Sequence, residues 1–167
     1  MDRDQESAKV TRAYLGNKDG AAKGKLAGTE AFMDHLEYLY KFSNLGTWVV
    51  REMRGRPGQL SVHASARALD AGYTKKQRDL AVKICEFMTT GKNAEILGLQ
   101  AIHDYAFTGP SGQWGRGWQN DRNAWKTYDS KSNAGTPGGL WLHVELDPAM
   151  AKDSKKVAAA WKTVLGG

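Results

Sequence analysis

The sequence predicts an α+β domain, and three observations carry that expectation. The chain has 167 residues, of which 41% are hydrophobic, a length that supports one sizeable core and not two. Apolar residues recur at helical spacing in segments near both ends of the chain and once between them. Short stretches rich in β-branched and aromatic residues lie among these, and one of them, Leu140 to Leu146, alternates strictly between the two faces of a strand.

Residues 1–28 are poor in large apolar side chains and rich in Gly, Ala, Lys and Asp, so they form an N-terminal arm or lead-in ahead of a single domain spanning 29–167. Phe32, Leu36, Leu39 and Tyr40 then fall at i, i+4, i+7 and i+8, the stripe of an amphipathic helix, with Asn44-Leu45-Gly46 as its stop. A strand is expected over Thr47–Met53 from its β-branched and aromatic content, ended by a turn at Arg54–Gly58. Thr74-Lys75-Lys76-Gln77 has the form of a capping box, opening a helix striped with Leu80, Ile84, Phe87 and Met88 and closed by Gly91. A short strand over Leu99–Tyr105 follows. Next comes a glycine-rich stretch, Phe107 to Gly139, expected to be irregular and marked by Trp114, Trp118, Trp125 and Tyr128. In the last strand Leu140, Leu142, Val144 and Leu146 make one face aliphatic, while Trp141, His143 and Glu145 occupy the other. Asp147-Pro148 supplies an N-cap and a first-turn proline for a final helix carrying Val157, Trp161, Val164 and Leu165 on one side.

Composition excludes several classes. The single cysteine, Cys85, sits in an apolar segment, which rules out a disulfide framework and a multi-cysteine zinc site and predicts a buried core thiol. No apolar run is long enough to span a bilayer, and the charged start Met1–Glu6 has no hydrophobic segment behind it, so neither membrane insertion nor a secretory signal is expected. The net charge is +6, and between Arg51 and Lys92 nine Lys/Arg face four Asp/Glu, which places most of the surplus in one region. Nucleic acid, an anionic membrane surface or an anionic wall polymer would each suit that region on charge alone.

The four histidines separate clearly. His35, beside Asp34 and Glu37, has no partner at i+4 and is a helix-packing or surface residue. His63 and Asp70 stand seven apart, separated largely by small residues that let the backbone bend around a shared point. An imidazole nitrogen and a carboxylate oxygen are two of the three protein ligands that a catalytic zinc needs. His143, on the polar face of the last strand, is the natural third.

The segment Ser61-Val62-His63-Ala64-Ser65-Ala66-Arg67-Ala68-Leu69-Asp70 resembles the pattern Ser-x-His-x-x-Gly-x-Ala-x-Asp of zinc D-alanyl-D-alanine carboxypeptidases. That family includes the L-alanyl-D-glutamate endopeptidases of phage endolysins and shares its fold with the hedgehog signalling domain. The chain matches at Ser61, His63, Arg67, Ala68 and Asp70, with Ala66 where the family usually has glycine. The likeness continues through Leu97–Asp104, Gly117-Trp118 and Leu142–Glu145, covering Thr47 to Asp147.

The resemblance implies a small antiparallel sheet carrying the zinc site and packed by helices, with Zn2+ held by His63, Asp70 and His143. It implies a zinc-dependent peptidase that hydrolyses an amide bond in peptidoglycan stem or crosslink peptides. The partner is then bacterial peptidoglycan and not nucleic acid, and the protein is a monomeric phage lysin held in the host cytoplasm before release. Leu140 occupies the place where much of the family has its acidic residue, three positions before the last histidine. Glu145, on the His143 face about 7 Å along the strand at roughly 3.3 Å per residue, is the first candidate for general base, and Asp104 the second. Glu145 has a second reading as the partner that orients a ligand histidine. His103 could line the pocket and stabilise a developing oxyanion. Arg51, Arg54 and Arg67 are candidate contacts for stem-peptide carboxylates, although Arg67 could instead brace the metal loop. Ser61 and Trp118 complete the substrate-binding candidates, with Trp114 and Trp125 as further groove walls. The alternative is a non-catalytic member of the same fold, a zinc-containing wall-binding or virion structural module.

Overall fold

The structure, a computed structural model, describes residues 12–167. Helix α1 (Ala27–Tyr40) buries Phe32, Met33 and Leu36, as their spacing requires. Lys41, at φ 58°, closes it ahead of the expected stop, and the stop residues fall instead in strand β1 (Ser43–Gly46).

Thr47–Met53 is not the continuous strand that its composition suggests. The Val49 N–H donates to the His63 carbonyl (3.3 Å), and the Arg51 carbonyl accepts from the Ser61 N–H (2.9 Å). These bonds tie the segment to the loop before the next strand and leave Val49 and Val50 exposed. β propensity describes a side chain's fit to a pleated surface and does not say whether a partner strand is within reach. Pairing resumes only in β2 (Glu52–Met53), which forms a separate hairpin with β3 (Arg56–Leu60) across the expected turn.

A 3-10 turn, Val62–Ser65, leads into β4 (Ala68–Gly72). The capping box is present, with the Thr74 N–H donating to Gln77 Oε1 at 3.0 Å, ahead of α2 (Arg78–Thr89). The short α3 (Asn93–Ile96) precedes β5 (Leu99–Asp104). The stretch expected to be irregular contains a hairpin, β6 (Arg116–Gln119) and β7 (Ala124–Thr127), and a single helical turn, α4 (Lys131–Ala134). Arg122 braces the hairpin by donating to the Ala124 and Gly117 carbonyls at 3.0 and 2.6 Å, so glycine content concealed a turn closed by a side chain.

Strand β8 (Trp141–Leu146) is followed by two helices where one was expected, α5 (Pro148–Lys152) and α6 (Ser154–Val164). Asp147 caps the first by accepting from the Met150 N–H at 2.8 Å. Asp153 caps the second by accepting from the Lys155 N–H at 2.9 Å, and it thereby interrupts the run. Val157 and Trp161 are buried, whereas Leu165 lies beyond the helix and is exposed.

The main sheet has six antiparallel strands in the order β1-β4-β8-β5-β6-β7, and the class is α+β. Its aliphatic face, with Leu142, Val144 and Leu146 fully buried on β8, forms one core with α1, α2, α5 and α6. Phe32 meets Trp161 edge-on at 5.2 Å. His35 stacks on the same indole and hydrogen-bonds the Ala31 carbonyl, the packing role its neighbours suggested. A Cβ at Gly28 would collide with the Met150 carbonyl, so glycine is what lets α1 and α5 approach this closely. Cys85 is fully buried, and burial pushes its thiol pKa up, so it is an inert core residue. Among the described residues no helix is long and apolar enough to cross a membrane.

Two expected site residues belong to this core. Trp118 is 2% exposed and packs within it, so it cannot wall a groove. Asp104 is fully buried, held by Arg78 at 2.7 and 3.0 Å and by Arg116 Nε at 3.1 Å. Adjacent strand residues point to opposite faces, so the same strand that sends His103 one way sends Asp104 to the helix side, away from any base role. Asp104→Ala would leave two guanidinium groups without their shared anion. We expect it to destabilise the fold by about 3–5 kcal/mol in denaturant unfolding, and an unchanged midpoint would contradict this account.

Candidate metal centre

The open face of the sheet is built by register. Asp70 on β4 is the cross-strand partner of His143 on β8, which is in turn the partner of His103 on β5, followed by Gly117 and Lys126 on β6 and β7. Two positions along, Ala68, Glu145, Ala101, Gln119 and Ala124 form a parallel row. His63 arrives from outside the sheet, on the 3-10 turn before β4. That turn is closed by Ala66 at φ 58°, the left-handed region that favours glycine.

Three side-chain donors converge from these elements. His143 Nδ1 lies 2.9 Å from Asp70 Oδ1 and 3.1 Å from His63 Nε2, and His63 Nε2 lies 3.2 Å from Asp70 Oδ2. Ligands at about 2.0 Å from a tetrahedral metal are separated from one another by roughly 3.3 Å; the two imidazole nitrogens approach each other at that spacing, each meets a different Asp70 oxygen, and one donor atom from each residue lies within 4.8 Å of the others. The donor set of two imidazole nitrogens and one carboxylate is one that could hold a divalent metal, zinc among them. His63 is 2% exposed and its Nδ1 is buried without a partner, so the ring's polar commitment is at Nε2, toward the other two.

Glu145 lies on the far side of the His143 ring. Its Oε1 accepts from His143 Nε2 at 3.0 Å and its Oε2 accepts from the Tyr14 hydroxyl at 2.7 Å. Both oxygens are therefore engaged away from the Nδ1 side, which is the position of a residue that orients the histidine and not of a base beside the metal. Burial favours the neutral acid, but the hydrogen bond and charge of His143 prevail and hold the Glu145 pKa at about 2. Asp70 is likewise kept well below the carboxylate range by hydrogen bonds from His143 and His63, against the effect of burial. Burial alone would lower the His143 pKa; hydrogen bonds to Asp70 and Glu145 outweigh it and raise it to about 10.

His103 takes the opposite course. Burial and then the charge of His143 bring its pKa down to about 4, leaving a neutral ring at neutral pH. Its Nδ1 is 2.6 Å from the Tyr128 hydroxyl, and the ring stacks against both Tyr105 and Tyr128. A Cβ at Gly117 would strike the Tyr128 hydroxyl and crowd His103 Nδ1 (3.2 Å), so the glycine makes room for that bond.

These residues line one cleft of about 1150 Å³, with Arg51, Arg54 and Arg56 on the β2–β3 side and Lys126 on the β7 side. A smaller recess of about 380 Å³ beside His63 and Asp70 is lined by Leu45, Trp48, Val49 and Arg51. Ser61 and Arg51 thus line the cleft. Arg67 does not: it is 1% exposed and donates to Asp19 at 2.7 Å, to the Leu146 carbonyl at 2.7 Å and to the Gly16 carbonyl, so it braces the loop and cannot bind substrate.

Tyr14, Tyr105, Tyr128 and Trp141 also line the cleft; Trp141 lies on the polar face expected of the last strand, whereas Tyr14 is not among the expected site residues. Period-two alternation would have placed Tyr105 with His103 and already places Trp141 with His143. Tyr128, one residue beyond β7, shares the parity of cleft-lining Lys126, whereas Tyr14 lies in no strand and carries no such signal. Comparison with known proteins finds no match to this chain among protein-family models, curated proteins or solved structures.

The charges fix a pH dependence. The His143 pKa is raised from 6.5 to about 10, so its contribution to the stability of the metal-free protein is complete below its ordinary value and is lost as pH rises toward 10. Asp70 and Glu145 are depressed, so theirs is present above the ordinary carboxylate range and is lost as pH falls below it. A zinc ion taken up at His143 Nδ1 would have to displace the proton there, so its binding would strengthen with pH. We expect the melting-temperature gap between zinc-supplemented and zinc-free protein to widen from about pH 5.5 to about pH 8.5; a gap that narrows would refute the His143 assignment.

Proposed function

We propose that this protein is a zinc-dependent peptidase of the D-alanyl-D-alanine carboxypeptidase and L-alanyl-D-glutamate endopeptidase kind, hydrolysing an amide bond in peptidoglycan stem or crosslink peptides as a phage lysin. The observation that carries the reading is the triangle of His63 Nε2, Asp70 and His143 Nδ1, with separations of 2.9 to 3.2 Å. The residue order Ser61, His63, Ala68, Asp70 and the left-handed backbone of Ala66, where the resembled pattern has glycine, support it. When bound, zinc supplies Lewis acidity, polarising a carbonyl and lowering the pKa of a coordinated water toward about 7.

The chain's own residues divide the remaining work. Asp70 and His143 are held in line by strand pairing, and Glu145 fixes the ring of His143 by accepting from Nε2. His103 stays neutral. With the Tyr128 hydroxyl donating to its Nδ1, its Nε2–H becomes a donor for the oxygen of a carbonyl under attack. Arg51, Arg54, Arg56 and Lys126 outnumber Glu52 among the cleft's charges outside the metal site, so the cleft favours an anionic, carboxylate-bearing peptide. Tyr105 and Trp141 replace the expected indoles as its aromatic lining.

A second reading, a zinc-containing module that binds wall without cutting it, has one observation in its favour. Leu140 packs against the core where the family's acidic residue would stand, and Glu145 faces away from the metal side. Purified protein incubated with peptidoglycan from several bacteria distinguishes the two. We expect mass spectrometry to find new peptide termini that disappear with chelator and with His143→Ala, and Arg51→Ala to raise KM by about tenfold through loss of a charge-assisted contact. Wall binding without new termini in any substrate would establish the second reading instead.

A further inference from the structure

We infer that Tyr14, from the segment ahead of α1, is a positioning residue for the metal centre, acting through Glu145 on His143. The inference rests on the proposed zinc site and not on the peptidase activity. Three hydrogen bonds run in series: the Tyr14 hydroxyl to Glu145 Oε2 (2.7 Å), Glu145 Oε1 to His143 Nε2 (3.0 Å), and His143 Nδ1 to Asp70 Oδ1 (2.9 Å). Glu145 is 5% exposed, so without Tyr14 its Oε2 would be a buried carboxylate oxygen lacking that partner.

The segment is fastened on both sides of Tyr14, so the hydroxyl is held in place. Arg12 donates to the Leu99 carbonyl at 2.9 Å, the Leu15 N–H donates to Gln100 Oε1 at 2.9 Å, and Asn120 donates to the Ala13 carbonyl at 3.2 Å. Beyond it, the Gly16 carbonyl accepts from buried Arg67, and Asn17 donates to the Ser61 carbonyl at 2.6 Å. The anchors are residues of β5, the β6–β7 turn and the loop carrying His63. What composition marks as a lead-in arm is therefore, over residues 12–26, a strap whose one phenol reaches the metal side of the sheet.

Partners that orient a ligand histidine typically contribute 10- to 100-fold in metal affinity. The test is a double-mutant cycle in the full chain, with Zn2+ affinity measured by competition against a chromophoric chelator and the absorption bands of the Co2+-substituted protein recorded alongside. We expect Tyr14→Phe to weaken zinc binding about tenfold and to shift the cobalt bands. In a Glu145→Ala background the same substitution should change neither. If wild type binds zinc and Tyr14→Phe binds it equally well, or if the two penalties simply add, the relay is wrong while the metal site stands. If wild type itself binds no zinc, the metal site is wrong and the inference falls with it.

Discussion

The register of β8 between β4 and β5 is the constraint on which the rest of this molecule depends. One face of β8 is committed to the core by Leu142, Val144 and Leu146, all fully buried. That commitment sends His143 and Glu145 to the opposite face and lines His143 up with Asp70 on one neighbour and His103 on the other. A slip of one residue would put the imidazole among the helices and the leucines in the cleft. Hydrophobic burial on one side of the strand is thus what places chemistry on the other.

The cleft side concentrates polar groups at a point largely closed to solvent, and their mutual hydrogen bonding makes this tolerable. Each ring nitrogen of His143 meets a carboxylate, and Glu145 has a partner at each oxygen. Among the described residues, His63 Nδ1 and Ser61 Oγ are buried here without a hydrogen-bond partner. On the helix side the same accounting holds for Asp104, one anion shared by two guanidinium groups. The two networks flank the sheet at neighbouring positions of β5 and serve different ends. The buried one holds α2 to the sheet, and the open one presents its donors to the cleft.

Much of this was legible in the sequence, and the limits are instructive. The alternation Leu142-His143-Val144-Glu145 fixed both faces of the last strand, and the small residues around His63 fitted a turn tight enough to return it to Asp70. Thr74-Gln77 and Asp147-Pro148 marked helix starts where the structure has them. Long-range effects were not legible. Arg67 and Asp104 carry charges that single positions offer equally to a substrate or to a buried partner, and only the fold reveals that the partners are Asp19, Arg78 and Arg116. Trp118 followed strand parity into the core. Glu145 was correctly placed on the histidine face, but which side of the imidazole it meets depends on rotamers that no pattern encodes. Tyr14 lay in a segment whose composition suggested a loose arm, and 131 residues separate it from its partner.

The proposed reading requires that one zinc ion be held among His63, Asp70 and His143. Anomalous diffraction at the zinc absorption edge, from crystals of the zinc-supplemented protein, addresses it directly. We expect a single strong peak at about 2.0–2.2 Å from His63 Nε2, an Asp70 oxygen and His143 Nδ1, with Glu145 still on Nε2. A peak elsewhere, or none at this triangle, would contradict it.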